Sequence, residues 1–523
     1  MNIPEAADIK AEVKDGVAVN VSARDRSVTA DDNVVLEQQT RTRRLFSTSQ
    51  LFAYSMTQMA VWEAIVGTVY FVLYNGGPNT LTWSTIIAFI GTLCQAASLG
   101  EMASILPMAG AQYHWTWHLA PRNIRRFATY IQGWSTWLGY ITALAADTNL
   151  VIILLESAIE LNNPGWTAKG WHTALLMIAI CAAHMLLNMY FVKLIPWLEM
   201  VAGVLHVCLF VIFVVVMAVM GSRHDASFVF VESSTSSGWE KDPTVAWNIG
   251  MLTAVTSFVG FDGAIHMSEE TRKARLAVPR AMFWSIFTNG ILAFVMVIVL
   301  LVSMGSIEDA LLAASPIESI LLQITGSKAA TTAMMVGLFI IAYCSSLGLV
   351  ASVSRLSWAW ARDGGLPSYF AYVHPKHRVP VRAILLCVFI VCLLSLLNIG
   401  SASYVAFGAI TSLLSLALYT SYFIAISSMI YARYYKEGGV KLGEWNWGRW
   451  GGPMNVFAWF YTLYVAIWLP FPTTLPVTAS NMNYCGPVMV AVLVIAITAW
   501  FGWARKNWLG PNVSVMDFIA ATS

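Results

Sequence analysis

The sequence predicts an all-α polytopic membrane protein with twelve crossings. Three observations lead there. Of its 523 residues, 58% are hydrophobic and only 11% are charged, whereas a water-soluble chain carries about 25% charged residues. The apolar residues come in runs of about 20, the length a helix needs to cross about 30 Å of hydrocarbon. Basic residues collect in alternate loops. Backbone amides in lipid must be satisfied inside the structure, which leaves helices or closed barrels. Barrel strands alternate polar and apolar residues. Runs such as Val207 to Met220 and Ile291 to Val302 do not alternate, so the helical reading follows.

Residues 1–47 are polar, mix both charge signs and hold almost no aromatics. They are expected to form a disordered cytosolic tail. No apolar core follows a basic start there, so no cleavable signal peptide is expected and the first crossing serves as the anchor. Crossings are predicted at 50–74, 82–106, 127–158, 172–192, 194–220, 245–268, 281–305, 329–361, 382–399, 403–431, 453–470 and 484–504. They fill a membrane domain of 48–505, and residues 506–523 form a second cytosolic tail. Only a short link around Lys193 separates the fourth and fifth crossings.

Charge orients these crossings. With the N-terminus in the cytosol, the inner segments carry Arg41, Arg43 and Arg44, then Arg122, Arg125 and Arg126, then Lys193. They continue with Arg272, Lys273, Arg275 and Arg280, with Arg362, Lys376, Arg378 and Arg382, with Arg433, Lys436, Lys441 and Arg449, and with Arg505 and Lys506. The outer segments carry only Lys169, Arg223, Lys241 and Lys328. An error of one crossing would invert this bias partway along the chain. Both ends are therefore expected in the cytosol, and the sequons at Asn20 and Asn512 are expected to stay unglycosylated.

Several classes are disfavoured. The net charge of +2 gives no reason to expect nucleic acid. Six of the seven cysteines lie in apolar runs and none forms a C-x-x-C pair, so neither a disulfide framework nor a zinc site is expected. There is no G-x-x-x-x-G-K-[ST] motif, no Arg-rich voltage-sensing helix and no T-V-G-Y-G filter. Energy is then expected from a gradient, and no cofactor or metal is implied. His114 and His118, spaced i, i+4 beside Trp115 and Trp117, read as an interfacial aromatic belt. His374 and His377 read as a solvated loop.

Four blocks in order carry a family resemblance. Ala97-Ser98-Leu99-Gly100-Glu101-Met102-Ala103-Ser104, followed by Pro107 and Gly110-Ala111-Gln112-Tyr113, resembles the signature after the second helix of amino acid–polyamine–organocation permeases. Phe258-Val259-Gly260-Phe261-Asp262-Gly263-Ala264-Ile265-His266-Met267-Ser268-Glu269-Glu270 resembles their sixth helix, in the fungal amino acid/choline branch. Ser354-Arg355-Leu356-Ser357-Trp358 through Arg362-Asp363-Gly364-Gly365 resembles the end of the eighth helix. Leu475-Pro476-Val477-Thr478 with Asn481-Met482-Asn483-Tyr484 resembles the last outer loop of choline and GABA permeases. The resemblance implies a transporter domain of the leucine-transporter type. Two five-helix repeats of inverted topology, about 50–220 and 245–431, would be joined by extra helices at about 453–504, with the first and sixth helices broken in mid-membrane.

The residues themselves supply candidates for a site. Gly260 and Gly263 flank Phe261-Asp262 inside an apolar run, and glycine weakens a helix by about 1 kcal/mol relative to alanine. An acid within a crossing is a functional candidate by default. In the first helix, Glu63 follows Trp62 where relatives are usually neutral. A substrate ammonium or a coupling proton would justify that acid. Candidate aromatic contacts are Trp62, Trp134, Phe258, Phe261 and Tyr343. Glu199 and His206, seven apart on one helical face, are candidates for moving protons with Glu63 and Asp262. Asp147, Asn149, His184 and Asn188 are further polar residues within crossings. Ser345 and Ser346 lie where sodium-coupled relatives place hydroxyl ligands, so sodium is the alternative ion. The resemblance implies that Glu269 and Glu270 with Arg355 and Arg362 lie at a cytosolic gate.

The expected function is import of a small amine or amino acid by alternating access, coupled to protons, in a lipid bilayer that is by family the plasma membrane. The alternatives are an exchanger, a receptor of the same fold that binds but does not transport, and a membrane-embedded enzyme.

Overall fold

A computed structural model describes residues 44–522 except 314, 401–402 and 480. The expected disordered tail therefore falls largely outside the described residues, as does the Asn20 sequon. Eleven segments are long and apolar enough to span a bilayer: Thr48–Tyr74, Gly77–Ile105, Arg125–Asn162, Gly170–Tyr190, Val192–Met220, Pro243–Glu270, Ala274–Ser303, Lys328–Arg362, Val381–Gly400, Val405–Tyr434 and Cys485–Asn507. The eleventh predicted crossing is also helical, over Gly451–Trp468. Its glycines, Asn455 and ring-bearing Trp and Tyr residues make it less apolar than the rest. We number these twelve segments in chain order as spans. The narrow link near Lys193 is a 3-10 turn, Val192–Leu194.

The first span starts with a capping box. Ser47 Oγ accepts from Gln50 N–H while the Gln50 side chain accepts from Ser47 N–H at 3.1 Å. The helix Thr48–Met59 then stops at Ala60, which is left-handed (φ 39°, ψ 52°), and restarts as Val61–Tyr74. An L-residue in that conformation costs about 1–2 kcal/mol. Neighbouring spans bond the carbonyls before the interruption: Ser345 Oγ donates to Gln58 O at 3.2 Å, and Asn289 Nδ2 donates at 3.3 Å to Met56 O, which also accepts from Ala60 N–H.

The sixth span is α-helical over Pro243–Ser257, turns at Phe258 to Gly260, and continues as a 3-10 helix over Phe261–Glu270. Gly260 has φ 92°, which a side chain would disfavour. Gly263 is needed for a different reason. A Cβ there would lie 2.0 Å from the Gln58 amide oxygen of the first span. The two interrupted spans thus touch at their breaks.

Spans five apart pack together: the first on the sixth, second on seventh, third on eighth and fourth on ninth. That pairing fits the architecture of two related halves. The fourth, fifth, ninth and twelfth spans are the least buried, and their exposed residues, such as Trp197, Val201, Phe389 and Ile495, are apolar. They form the face that lipid covers.

Candidate functional site

Asp262 occupies the first turn after the sixth-span break and is fully buried. Tyr422 of the tenth span donates to its Oδ1 at 2.5 Å, and Gln112 Nε2 donates to Oδ2. The Tyr140 hydroxyl of the third span faces the same carboxylate. Phe261 packs on Tyr422 with ring centroids 5.4 Å apart. A carboxylate held by neutral donors among Phe261, Tyr140 and Tyr422 is a setting that suits a cationic headgroup, through charge and through ring faces. Gly260, just before it, is part-exposed and faces open space. Next to Gly263, Gln58 Nε2 donates to Ser352 Oγ at 3.0 Å, and Ser352 Oγ donates to the Gly263 carbonyl at 2.9 Å. The Tyr54 hydroxyl donates to Gly348 O at 2.7 Å. These contacts hold the first, sixth and eighth spans in register at the breaks.

Glu63 occupies the first turn after the first-span break, the counterpart of Asp262. Its Oε1 lies 2.6 Å from His206 Nδ1 of the fifth span, and both groups are buried. Trp62 packs on that same wall, with ring centroids 6.0 Å from His206 and 5.1 Å from Phe213. Glu199 and His206 do not pair with each other. Seven residues of helix separate them by about 10 Å along the axis. Glu199 Oε2 accepts instead from Thr57 Oγ1 at 2.5 Å. Asp147 accepts from Ser345 at 2.9 Å, and His184 lies 3.4 Å from Ser346 Oγ.

The remaining aromatic candidates sit elsewhere. Trp134 packs on Tyr130 and Trp137, and Tyr343 on His184 and Phe339. Phe258 stacks on Phe89 at 6.2 Å. Sequence reasoning passed over Tyr422, Tyr140 and Gln58 as contacts of the break. Gln112 stood within a quoted motif, but nothing there announced its partner.

The two ends of the bundle differ. At the end carrying most basic residues, Arg355 Nε donates to Glu270 Oε1 at 2.9 Å and Arg362 Nη1 to Glu269 Oε2 at 3.2 Å, all buried. Phe46 N–H donates to Glu270 O at 3.1 Å, tying the start of the described chain to this layer. Asp363 accepts from Tyr113 at 2.7 Å and from Asn512 N–H at 3.0 Å, and lies 3.0 Å from His114 Nε2. His114 is thus a buried partner of a carboxylate and not part of an interfacial belt, because its short helix Gln112–Leu119 folds inward against the third span. Burial raises the Asp363 pKa, but the Arg362 and His114 charges and the hydrogen bonds from His114 and Asn512 outweigh it and hold the carboxyl at about 2. A void of about 10 Å³ lies among Glu269, Glu270 and Arg355. At the opposite end, a cavity of about 390 Å³ opens between the first, sixth and tenth spans and the loop at 473–483. Thr68, Tyr70, Phe71, Thr256, Phe407 and Thr411 line it. Thr256 lies one turn of chain before Gly260. The predicted site residues do not line this cavity themselves.

A buried acid at each of two touching helix breaks, with a chamber between the same spans nearer one end, suits the passage of a small polar solute. Comparison with known proteins agrees. The profile of the amino acid permease family matches residues 46–495. A Macrophomina phaseolina protein named for amino acid/polyamine transport is 29% identical, over 83% of this chain and 96% of its own. The choline transporter of Saccharomyces cerevisiae is 28% identical, over 92% of this chain and 84% of its own. Amino-acid permease 2 of Neurospora crassa is 28% identical, over 90% and 86%. The interrupted first and sixth spans and a match that runs through nearly all of the membrane domain lead to one conclusion: the chain is an integral, multi-pass member of the amino acid permease family.

Proposed function

We propose that this protein imports a small amine or amino acid by alternating access, with Asp262 as the counter-charge for the substrate ammonium and an inward proton gradient as the driving force. The observation that carries this reading is the asymmetry of the two ends: a cavity of about 390 Å³ at one, and two arginine–glutamate pairs with buried side chains at the other. Such a chamber suits the outward-facing half of a transport cycle. The buried pairs Arg355–Glu270 and Arg362–Glu269 would have to part to give the inward-facing half. They serve in this reading as the cytosolic gate, with both chain ends in the cytosol and the protein in the plasma membrane. The substrate class follows from relatives named for amino acids, polyamines and choline, and from the ring-bearing surroundings of Asp262. A carboxylate on the substrate would meet the amide groups at the starts of the two restarted helices. No chemical transformation belongs to this reading.

The test is uptake of labelled choline, 4-aminobutyrate and neutral and basic amino acids into cells and proteoliposomes, at external pH 5.5 and 7.5, with sodium replaced by potassium. Uptake of at least one compound, faster at pH 5.5 and unchanged by the swap, is the expected result. Saturable binding without accumulation of any compound would make the protein a receptor, and sodium dependence would replace the proton.

A further inference from the structure

We infer that Glu63 and His206 form a single proton-carrying unit, loaded from the outer chamber, and that this pair couples proton movement to substrate movement. The inference rests on the permease reading above and assigns the coupling to one place within it. Four observations meet there. The carboxylate and the imidazole lie 2.6 Å apart on different spans, so one proton is held between them. Their far atoms, Glu63 Oε2 and His206 Nε2, are buried and make no hydrogen bond within the described protein. Trp62 packs on the imidazole and is itself packed on Phe210 and Phe213, and the pair is buried, so its charge state is poorly screened. Glu63 also sits only three residues beyond the Ala60 hinge, and Thr68 of the same half-helix lines the outer chamber.

The proton balance is simple. With Nδ1–H donating to Glu63, a neutral imidazole leaves the pair with a net charge of −1. A proton from external water adds to the Nε2 lone pair, gives an imidazolium and makes the pair neutral. The loaded pair therefore crosses without net charge, and Trp62 lies where a ring face would favour the imidazolium. A swing about Ala60 moves Glu63 off His206. The imidazolium then loses its counter-charge and gives its proton to internal water.

Other charged groups on the packed spans are engaged elsewhere. Glu199, lower on the fifth span, is bonded to Thr57. Asp147 of the third span is bonded to Ser345. Tyr343 of the eighth span packs on His184, and its neighbour Cys344 faces Glu199. Arg355 is paired with Glu270. On the helix Pro316–Thr325, Glu318 faces Glu160 and Lys328. On the seventh span, Arg275 and Arg280 lie within the first two turns, at the basic end. The titratable group that faces Glu63 is His206.

The experiment reconstitutes the full chain, Glu63→Gln and His206→Gln into liposomes that enclose a pH-sensitive dye. The probes are labelled choline, 4-aminobutyrate and leucine. Two readouts are taken: exchange of internal for external probe with no pH gradient, and accumulation driven by an inward gradient of one pH unit. Wild type is expected to accumulate a probe up to about tenfold, the limit for one proton per substrate, while the lumen acidifies. Both variants are expected to exchange within about threefold of wild type, yet to show neither accumulation nor a dye response. Variants that accumulate and acidify like wild type would overturn the inference. So would loss of exchange along with accumulation in both, because the pair would then be structural. If wild type moves no probe in either mode, it is the permease reading that fails, whatever the variants do.

Discussion

The two helix breaks are alike in sequence position and unlike in electrostatics. Each places an acid in the first turn of the restarted helix, where unpaired amide groups favour a negative charge: Glu63 after Ala60 and Asp262 after Gly260. Glu63 meets a base that can itself take a proton. Asp262 meets only neutral donors, Tyr422 and Gln112, with Tyr140 close by. A carboxylate facing a titratable partner is suited to loading and unloading. In the proposed reading, one caged by hydroxyl and amide groups is suited to meeting a cation. The same local device thus gives two chemistries, and the partner across the interface decides between them.

Removing the Asp262 carboxylate is expected to have the largest effect. Asp262→Asn keeps size and loses charge, so exchange and accumulation should both fall by at least about 100-fold, the value of a buried charge-assisted contact near 3 kcal/mol. This contrasts with Glu63→Gln, which is expected to separate the two. Initial-rate exchange assays on both variants, normalised to protein in the membrane, measure the difference. Equal behaviour of the two variants would erase the distinction between the breaks. Tyr422→Phe is expected to do less. It removes one of the donors to Asp262, worth about 1 kcal/mol, and should raise the half-saturation concentration about fivefold with little change in maximal rate.

How much of this was legible follows from what each feature depends on. Spans were legible because each carries its own apolar run, and the predicted limits lie within a few residues of most helix ends. The sixth-span break was written locally, in two glycines around an acid. The first-span break was not, because a non-glycine residue, Ala60, makes the turn and is held there by contacts from Ser345 and Asn289. The partners of the acids were hidden for a related reason. Tyr422 lies 160 positions from Asp262 and His206 lies 143 from Glu63, and no local spacing encodes such distances. Glu199 and His206 shared a face and looked like a pair, yet each found a nearer partner on the first span. His114 resembled a belt residue because its tryptophan neighbours were visible and Asp363, about 250 positions away, was not.

The hinges offer a smaller test of the same comparison. Gly260→Ala adds a Cβ that meets no atom within 4 Å, so the cost is backbone strain alone, about 1 kcal/mol. Ala60→Gly removes strain of the same kind and should be neutral or stabilising by a similar amount, less the greater freedom that glycine has in the unfolded chain. Thermal unfolding in detergent should therefore move in opposite directions, or fall only for Gly260→Ala. A fall for both would mean that the Ala60 methyl contributes packing that outweighs its strain.

The smallest expected effect concerns Asp363, and it isolates the first-span acid from a second histidine–carboxylate contact among the described residues. His114 and Asp363 lie 3.0 Å apart, near the 2.6 Å of His206 and Glu63, so either contact could be credited with a pH dependence of transport. The sign separates them. Asp363 is held at about 2, below its unfolded value of about 3.9. Its stabilising contribution is fully present above pH 4 and is lost only as the pH falls through about 2. Between pH 5 and 8 this carboxylate does not change charge, so Asp363→Asn should lower the amount of folded protein but leave the midpoint of the pH–uptake curve within about 0.3 units of wild type. His206→Gln should flatten the same curve. A midpoint that moves with Asp363→Asn and stays put with His206→Gln would transfer the pH response from the first-span break to the basic end of the bundle.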